Sequence, residues 1–207
     1  MPYLGNEVAP LVQALEGKEL KLDSDGDSSI QASTDDTVVF KTNGSNRWTL
    51  NSSGNLFPAS TSQGIVLGAT SDTSANRLDD YEEGTWTPGV IGSGTAGSFS
   101  GGSVSGNYTK IGNSVAVWFG VTGTQSGASG SLTITGLPFT SKSGVEAIGQ
   151  LMWSSLNVSG SAVNFVFYIG GDSTSMVIFQ SYDDTAWGTL NVSNEEFALR
   201  GQLNYLV

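Results

Sequence analysis

The sequence contains no cysteine and no histidine among its 207 residues. Without cysteine, the chain can form neither disulfide bonds nor a thiolate metal site. Without histidine, it lacks the commonest metal ligand and the general base of Ser-His-Asp hydrolases. Catalysis would therefore have to depend on carboxylates, lysine, tyrosine or hydroxyl groups. These absences favour a protein that is not an enzyme and that uses no cofactor.

Basic residues are scarce as well, because eight Lys and Arg stand against 19 Asp and Glu, which gives a net charge of −11. A polyanion such as DNA would be repelled, so we do not expect a nucleic-acid partner. The sequence has no uninterrupted apolar run near the roughly 18 residues that a membrane span needs. It also does not begin with the basic and apolar regions of a signal peptide. We therefore predict neither membrane insertion nor a secretory leader.

Glycine is abundant, with 28 residues, and only 13% of the residues are charged, a composition that suits strands and turns better than long helices. In residues 84–207, apolar and polar residues alternate repeatedly. Val115, Val117, Phe119 and Val121 share one face of a predicted strand. Seven or eight short strands at regular spacing predict an all-β, antiparallel, jelly-roll-like β-sandwich. We expect the last strand to lie inside a sheet.

Shorter strands, cut by turns, are predicted for residues 20–57. Val38 and Phe40 alternate with polar neighbours, as do Trp48 and Leu50, so each strand has one apolar face. Strands of about five residues cannot bury such faces within one copy of the chain. We therefore predict a β stalk in which the strands of several copies intertwine.

An aspartate-rich loop precedes these strands. Asp23, Asp25 and Asp27 match positions 1, 3 and 5 of an EF-hand calcium loop. However, Ser28 stands where that turn needs glycine, and Thr34 stands where a bidentate glutamate is needed. We therefore predict an Asp/Gly turn without a metal, in which Asp side chains accept hydrogen bonds from local backbone amides. A calcium site is the alternative.

Two unlike halves of the chain meet at residues 78–88, which read Leu-Asp-Asp-Tyr-Glu-Glu-Gly-Thr-Trp-Thr-Pro. Residues 1–83 hold 13 acidic and five basic residues, whereas residues 84–207 hold six and three. The pattern predicts a mobile acidic hinge at residues 79–83. A strand opened by Gly84 and closed by Pro88 should follow it.

Several motifs along the chain resemble those of bacteriophage tail-fibre and other virion structural proteins. They are the Asp-rich module of residues 23–58, the junction at residues 78–88, Asn-Tyr-Thr-Lys-Ile-Gly-Asn at 107–113 and Ile-Thr-Gly-Leu-Pro-Phe at 134–139. The likeness covers about two-thirds of the chain, and residues 140–207 match only in general character. It implies a homotrimeric fibre or spike on the exterior of a virion, made in the host cytoplasm, that contacts the host surface through its C-terminal domain.

Other functions remain open under the same resemblance. A capsid head fibre, a decoration protein or a tail adaptor would have the same build and a purely structural role. A polysaccharide-cleaving spike would need two carboxyl groups roughly 5 to 9 Å apart. The acidic pairs here are adjacent in sequence, and adjacent strand residues point to opposite faces. We therefore predict a binding function, with residues 1–22 as virion attachment, 23–83 as stalk and 84–207 as tip domain.

The attachment segment carries a short helical pattern. Val8, Leu11, Val12 and Leu15 fall at i, i+3, i+4 and i+7, on one apolar face of about two turns. A helix this short does not persist alone in water, so its face needs a partner. Residues 3–9, beginning at Tyr3, resemble the start of many phage fibre proteins, with Val8 in place of proline. We predict that the attachment segment binds another virion protein of the tail or capsid. The residues that make this contact are Tyr3, Val8, Leu11, Val12 and Leu15.

The predicted receptor-binding loop is the most aromatic and acidic loop of the tip domain. Tyr182 and Trp187 flank Asp183 and Asp184, so a stacking ring and carboxylate acceptors lie close together in sequence. This combination is typical of a site for the hydroxyl groups of a host-surface glycan. The alternative is that these aromatic side chains, together with Trp153, pack in the core or at a subunit interface.

Overall fold

The computed structural model describes residues 19–32 and 34–207 and divides into two compact units at Asp79/Asp80. The described residues form β-strands and one 3-10 turn, Ser74–Asn76, which confirms the all-β prediction. None of their helices is long and apolar enough to cross a membrane. The predicted helical face of Val8, Leu11, Val12 and Leu15, like Tyr3, lies outside the described residues.

The first unit contains a five-stranded antiparallel sheet in which strand order follows chain order. Ile65–Val66 (β6) and Arg77–Leu78 (β7) form a separate hairpin around the 3-10 turn. The strands of the larger sheet are Leu20–Lys21 (β1), Ser29–Gln31 (β2), Val38–Thr42 (β3), Ser45–Leu50 (β4) and Leu56–Pro58 (β5).

Local sequence explains the central hairpin of this sheet. Asn43 and Gly44 connect β3 to β4 and both have positive φ, of 50° and 65°. Two residues of this kind form the turn whose twist matches paired strands. The predicted apolar face is also present, because paired residues share a side of the sheet. It comprises Leu20, Ile30, Val38, Phe40, Trp48, Leu50, Leu56 and Pro58.

Ten strands form the second unit, which is more than the seven or eight predicted, and three of them are longer than ten residues. They are Tyr81–Trp86 (β8), Gly89–Gly92 (β9), Ser98–Ile111 (β10), Ser114–Ser126 (β11), Leu132–Thr135 (β12), Ala147–Ser154 (β13), Ala162–Ile169 (β14), Ser175–Tyr182 (β15), Gly188–Thr189 (β16) and Glu196–Leu206 (β17).

All pairings in this unit are antiparallel, in the order β8-β10-β11-β17-β13-β14-β15-β12-β9, with β16 added beside β15. The strands are hydrogen-bonded as one continuous sheet. Only Thr87 and Pro88 connect β8 to β9, although these strands stand at opposite ends of the sheet. The sheet therefore curls until its two ends approach. As predicted, the last strand, β17, lies inside it, between β11 and β13.

The curled sheet encloses a core rich in aromatic side chains. As the alternation predicted, Val115, Val117, Phe119 and Val121 are all buried. The ring centroids of Phe119 and Phe167 lie 5.0 Å apart, and those of Trp86 and Phe119 lie 5.7 Å apart. Burial of this apolar surface supplies the main driving force for folding of the unit.

The prediction of a mobile acidic hinge at residues 79–83 was wrong for its second part, which is a strand. Residues 81–83 belong to β8 and pair with β10 along Ile111, Lys110 and Thr109. Lys110 also forms an ion pair with Asp80, and the hydroxyl of Tyr108 donates a hydrogen bond to Glu82. Backbone pairing and these charge contacts hold residues 80–83 within the second unit.

The motifs at residues 78–88, 107–113 and 134–139 pack against one another. Trp86 lies over Gly106 and Tyr108 lies over Gly84, since a Cβ added at either glycine would come within about 2.7 Å of the facing ring. The ring of Phe139 meets Tyr108 edge-on at 5.3 Å, and the ammonium of Lys110 lies 5.6 Å from the Phe139 ring. The three motifs therefore stabilise the fold at one place in the unit.

A candidate ligand-binding groove

A groove of about 540 Å³ lies on the outer face of the second unit, over β13, β14 and β15. Its floor is apolar and its two ends are polar. It is lined by Glu146, Ile148, Asn164, Val166, Tyr168, Phe179, Ser181 and Trp187.

Strand alternation places these side chains outside the core. On β14, Phe167 and Ile169 point inward and are buried, so Val166 and Tyr168 point outward. The register sets Val166 opposite Phe179 of β15 and Tyr168 opposite Ile148 of β13. Cross-strand pairs of this kind bring side chains into contact and form a continuous floor.

One end of the groove carries a carboxylate held by a tyrosine. The hydroxyl of Tyr168 donates a hydrogen bond of 2.6 Å to Oε1 of Glu146. This bond, together with partial desolvation, raises the pKa of Tyr168. At the other end, Asn164 and Ser181 face each other across β14 and β15. The outward positions 164 and 168 are about 13 Å apart along the strand, at roughly 3.3 Å per residue.

Trp187 closes the groove from the loop that follows β15. The loop returns to the sheet through β16, which pairs with Phe179 and Gln180 of β15. The backbone turns at Asp184, which has a left-handed φ of 52°. Trp187 is 74% exposed, so the interpretation of this residue as a core side chain was wrong.

The other predicted receptor-binding residues lie in the same loop region. Asp183 and Asp184 are exposed and Tyr182 is half-buried, and of the four only Trp187 is among the groove-lining residues. Trp153, in contrast, packs edge-on against Phe165 at 5.6 Å and borders the core. Trp187 therefore lies outside the core, whereas packing at a subunit interface and the role of this loop in recognition both stay predictions.

Sequence reasoning missed the other groove residues because they come from three strands. One signal was available in the run Met176-Val177-Ile178-Phe179, which is apolar on both faces. Such a run is typical of an inner strand, and β15 does lie between β14 and β12. The core takes only Met176 and Ile178, however, so the second apolar face had to lie elsewhere. Phe179 from that face forms part of the groove floor.

The aspartate-rich loop forms the predicted turn between β1 and β2. Carboxylate oxygens of Asp23, Asp25 and Asp27 lie within 4.8 Å of one another. The backbone amide of Ser28 donates to Oδ1 of Asp23 at 3.1 Å, and hydrogen bonds from Ser28 lower the pKa of Asp23. Desolvation and the neighbouring Asp25 raise the pKa of Asp27. Calcium takes six to eight oxygen ligands, and the three carboxylates supply only part of that number. That this loop binds no metal stays a prediction.

Comparisons with known proteins give one match. No model of a protein family matches the chain, and no curated protein is similar to it at a significant level. Among solved structures, the chain is similar to the crystal structure of the Dettilon tailspike protein (gp208), with 19% sequence identity and a TM-score of 0.47. The match covers 59% of this chain and 23% of that protein.

Proposed function

We propose that the chain is a non-enzymatic subunit of a bacteriophage fibre or spike that binds a host-surface glycan through the groove of its second unit. The observation that carries this proposal is the exposed Trp187 beside a groove with an apolar floor and polar ends. The likeness of the motifs at residues 78–88, 107–113 and 134–139 to phage fibre proteins supports the virion assignment.

A sugar ring matches the chemistry of this groove. Its C–H face is apolar and can stack on the indole of Trp187, while its hydroxyls need hydrogen-bond partners around the ring edge. Glu146, Asn164 and Ser181 offer carboxylate, amide and hydroxyl groups for this purpose. Binding sites for small molecules commonly combine an apolar lining with a few polar groups that fix orientation.

We expect Trp187→Ala to reduce adsorption of virions to host cells by about 10²-fold. One shallow site of this kind binds at about millimolar Kd, and three copies on one particle raise the apparent affinity by roughly 10² to 10⁴ through avidity. Removing the stacking ring from every copy should therefore abolish most of this gain. The readout is the adsorption rate constant of particles that carry the variant.

Trp118→Ala is the matched control for this experiment. Trp118 is 45% exposed on β11 of the same sheet and does not line the groove, from whose first strand, β13, it is separated by β17. Both variants should keep the melting temperature of the wild type, because neither ring is buried. Asp183→Asn and Asp184→Asn test whether the loop carboxylates take part. Normal adsorption of the Trp187 variant would contradict the proposed function and favour a structural role on the particle.

The proposal includes a homotrimer, attached to another virion protein through residues 1–22. Its support is the apolar face of the first sheet. Phe40, Leu50 and Leu56 of this face are 39%, 37% and 58% exposed, an unusual concentration of apolar surface for a small sheet. A face of this kind requires cover from another copy of the chain.

Light scattering of the full chain should give a mass near three times 21.5 kDa. Phe40→Asp should lower this mass, because a charge on the apolar face opposes association. Phe57→Asp is the control, since Phe57 is similarly exposed, at 44%, but lies on the other face of the sheet. A stable monomer at micromolar concentration, or an equal effect of the two variants, would contradict association through this face.

A further inference from the structure

We propose that the groove selects a glycan that bears a free amino group, and that Glu146 determines this selectivity by pairing with the ammonium. This inference rests on the proposed function, since it concerns the ligand of the same site. It goes further by assigning the charge of the ligand and the residue that recognises it.

The charge of the groove is one-sided. Glu146 is the single charged residue among the eight that line it, and neither Lys nor Arg is present among them. The adjoining loop adds two exposed carboxylates, Asp183 and Asp184. Anionic sugars, such as those that carry carboxylate or phosphate groups, would meet only like charge here. A ligand of positive charge is the complementary one.

The position of Glu146 prepares it to accept a further hydrogen bond. Tyr168 donates to Oε1 at 2.6 Å and thereby fixes the carboxylate at the groove end. An ionised carboxylate has about four lone-pair positions on its two oxygens, so one bond from Tyr168 leaves acceptor capacity for a ligand. A protonated amine uses that capacity in a charge-assisted hydrogen bond, which is stronger than the bond from a neutral hydroxyl.

Desolvation distinguishes an amino sugar from a neutral sugar at this site. A neutral ring that covers the groove would remove water from Glu146 without supplying an opposite charge, which is unfavourable. An ammonium compensates for this loss directly.

The test compares two probes that differ only in the amine. They are the β-1,4-linked trimer of glucosamine and its fully N-acetylated form, titrated calorimetrically against the full chain at a pH where the amine is protonated. We expect the amino trimer to bind about tenfold more tightly, as befits one hydrogen bond between charged groups. Equal affinities, a preference for the acetylated trimer, or no detectable binding of the amino trimer at millimolar concentration would overturn the inference.

Variants assign the preference to a residue. Glu146→Gln should abolish the preference by weakening the binding of the amino trimer about tenfold, because the amide keeps the shape of the side chain but carries no charge to pair with the ammonium. Tyr168→Phe should reduce the preference, because it frees the carboxylate from its fixed position. Glu196→Gln, an exposed carboxylate on β17 that does not line the groove, should change nothing. A preference that survives in Glu146→Gln would overturn the assignment.

The failure of this inference is distinguishable from the failure of the proposed function. If Trp187→Ala reduces adsorption but the amino trimer is not preferred, the groove binds the host and only its charge selectivity is wrong. If Trp187→Ala leaves adsorption unchanged, the receptor site itself is wrong. A lower mass of the Trp187 variant in light scattering would make the groove a subunit interface and overturn both.

Discussion

Replacing Gly201 with alanine is expected to lower the free energy of unfolding of the second unit by about 1 to 3 kcal/mol, the usual effect of overpacking a core. Gly201 lies on β17, on the inner face of the curled sheet. A Cβ at this position would overlap the ring of Phe167 and lie 2.8 Å from Cε1 of Phe119. Those rings are themselves in contact at 5.0 Å and cannot both retreat.

Gly160→Ala is the matched control for this prediction. Gly160 lies in the turn before β14, has no positive φ, and a Cβ there would meet no atom within 4 Å. Thermal or denaturant unfolding followed by tryptophan fluorescence measures both variants. At this domain size the Gly201 variant should melt several degrees lower, at roughly 2 to 8 °C per kcal/mol, and the Gly160 variant should not. Equal melting temperatures would show that the core beside β17 is looser than the structure indicates.

Alkaline pH should destabilise the second unit through Tyr205. This side chain is only 3% exposed, and burial raises its pKa to about 12. Its hydroxyl donates to the carbonyl oxygen of Phe139 at 3.1 Å and accepts from the amide of Phe139 at 3.3 Å. In the unfolded chain a tyrosine has a pKa of about 10. The folded state thus holds the proton more tightly than the unfolded state.

The sign of the effect follows from this difference in proton affinity. The stabilisation is fully present below about pH 10 and is lost as the pH rises toward about 12, where the folded state also releases its proton. The difference of about two pKa units between the unfolded and the folded state corresponds to about 2.7 kcal/mol of the free energy of unfolding.

Tyr205→Phe separates this titration from the other alkaline effects. At neutral pH the variant should be about 1 kcal/mol less stable, because it loses the hydrogen bonds to Phe139. Near pH 12 it should equal or exceed the wild type, since it has no buried hydroxyl to ionise. Tyr81, Tyr108 and Tyr168, whose pKa values are also raised, are present in both proteins and cancel in the comparison. Parallel stability curves for the two proteins from neutral to alkaline pH would contradict the assignment.

Local periodicity was sufficient for much of the fold. The alternation of residues 115–121 identified the buried face of β11, because successive strand residues point to opposite sides whatever the partners are. The turn at Asn43-Gly44 has a similarly local cause, since few other residues adopt positive φ. The apolar face of the first sheet was also visible in the sequence.

Pairing partners were beyond the reach of local pattern. Residues 79–83 resembled a hinge because the local pattern assigns them no strand partner, yet β10 and Lys110 bind residues 80–83 from about 30 residues away. The pattern also did not predict a single curled sheet, because the strand pairs that form it are distant in sequence. Local periodicity gives the faces of a strand but not its neighbours, and β17 reaches its place between β11 and β13 only through long-range pairing.

For the candidate site, too, one part was visible in the sequence and the other only in the tertiary structure. The sequence by itself excluded histidine and cysteine chemistry, and it predicted a chain of antiparallel strands and an aromatic, acidic loop that ends at Trp187. Only the tertiary structure decided that Trp187 is exposed and that Glu146, Asn164 and Tyr168 stand beside it. Those residues are remote from the loop in sequence, and the register of β13, β14 and β15 brings their outward faces together. Register is set by packing of the buried faces, so the groove is a consequence of the core beneath it.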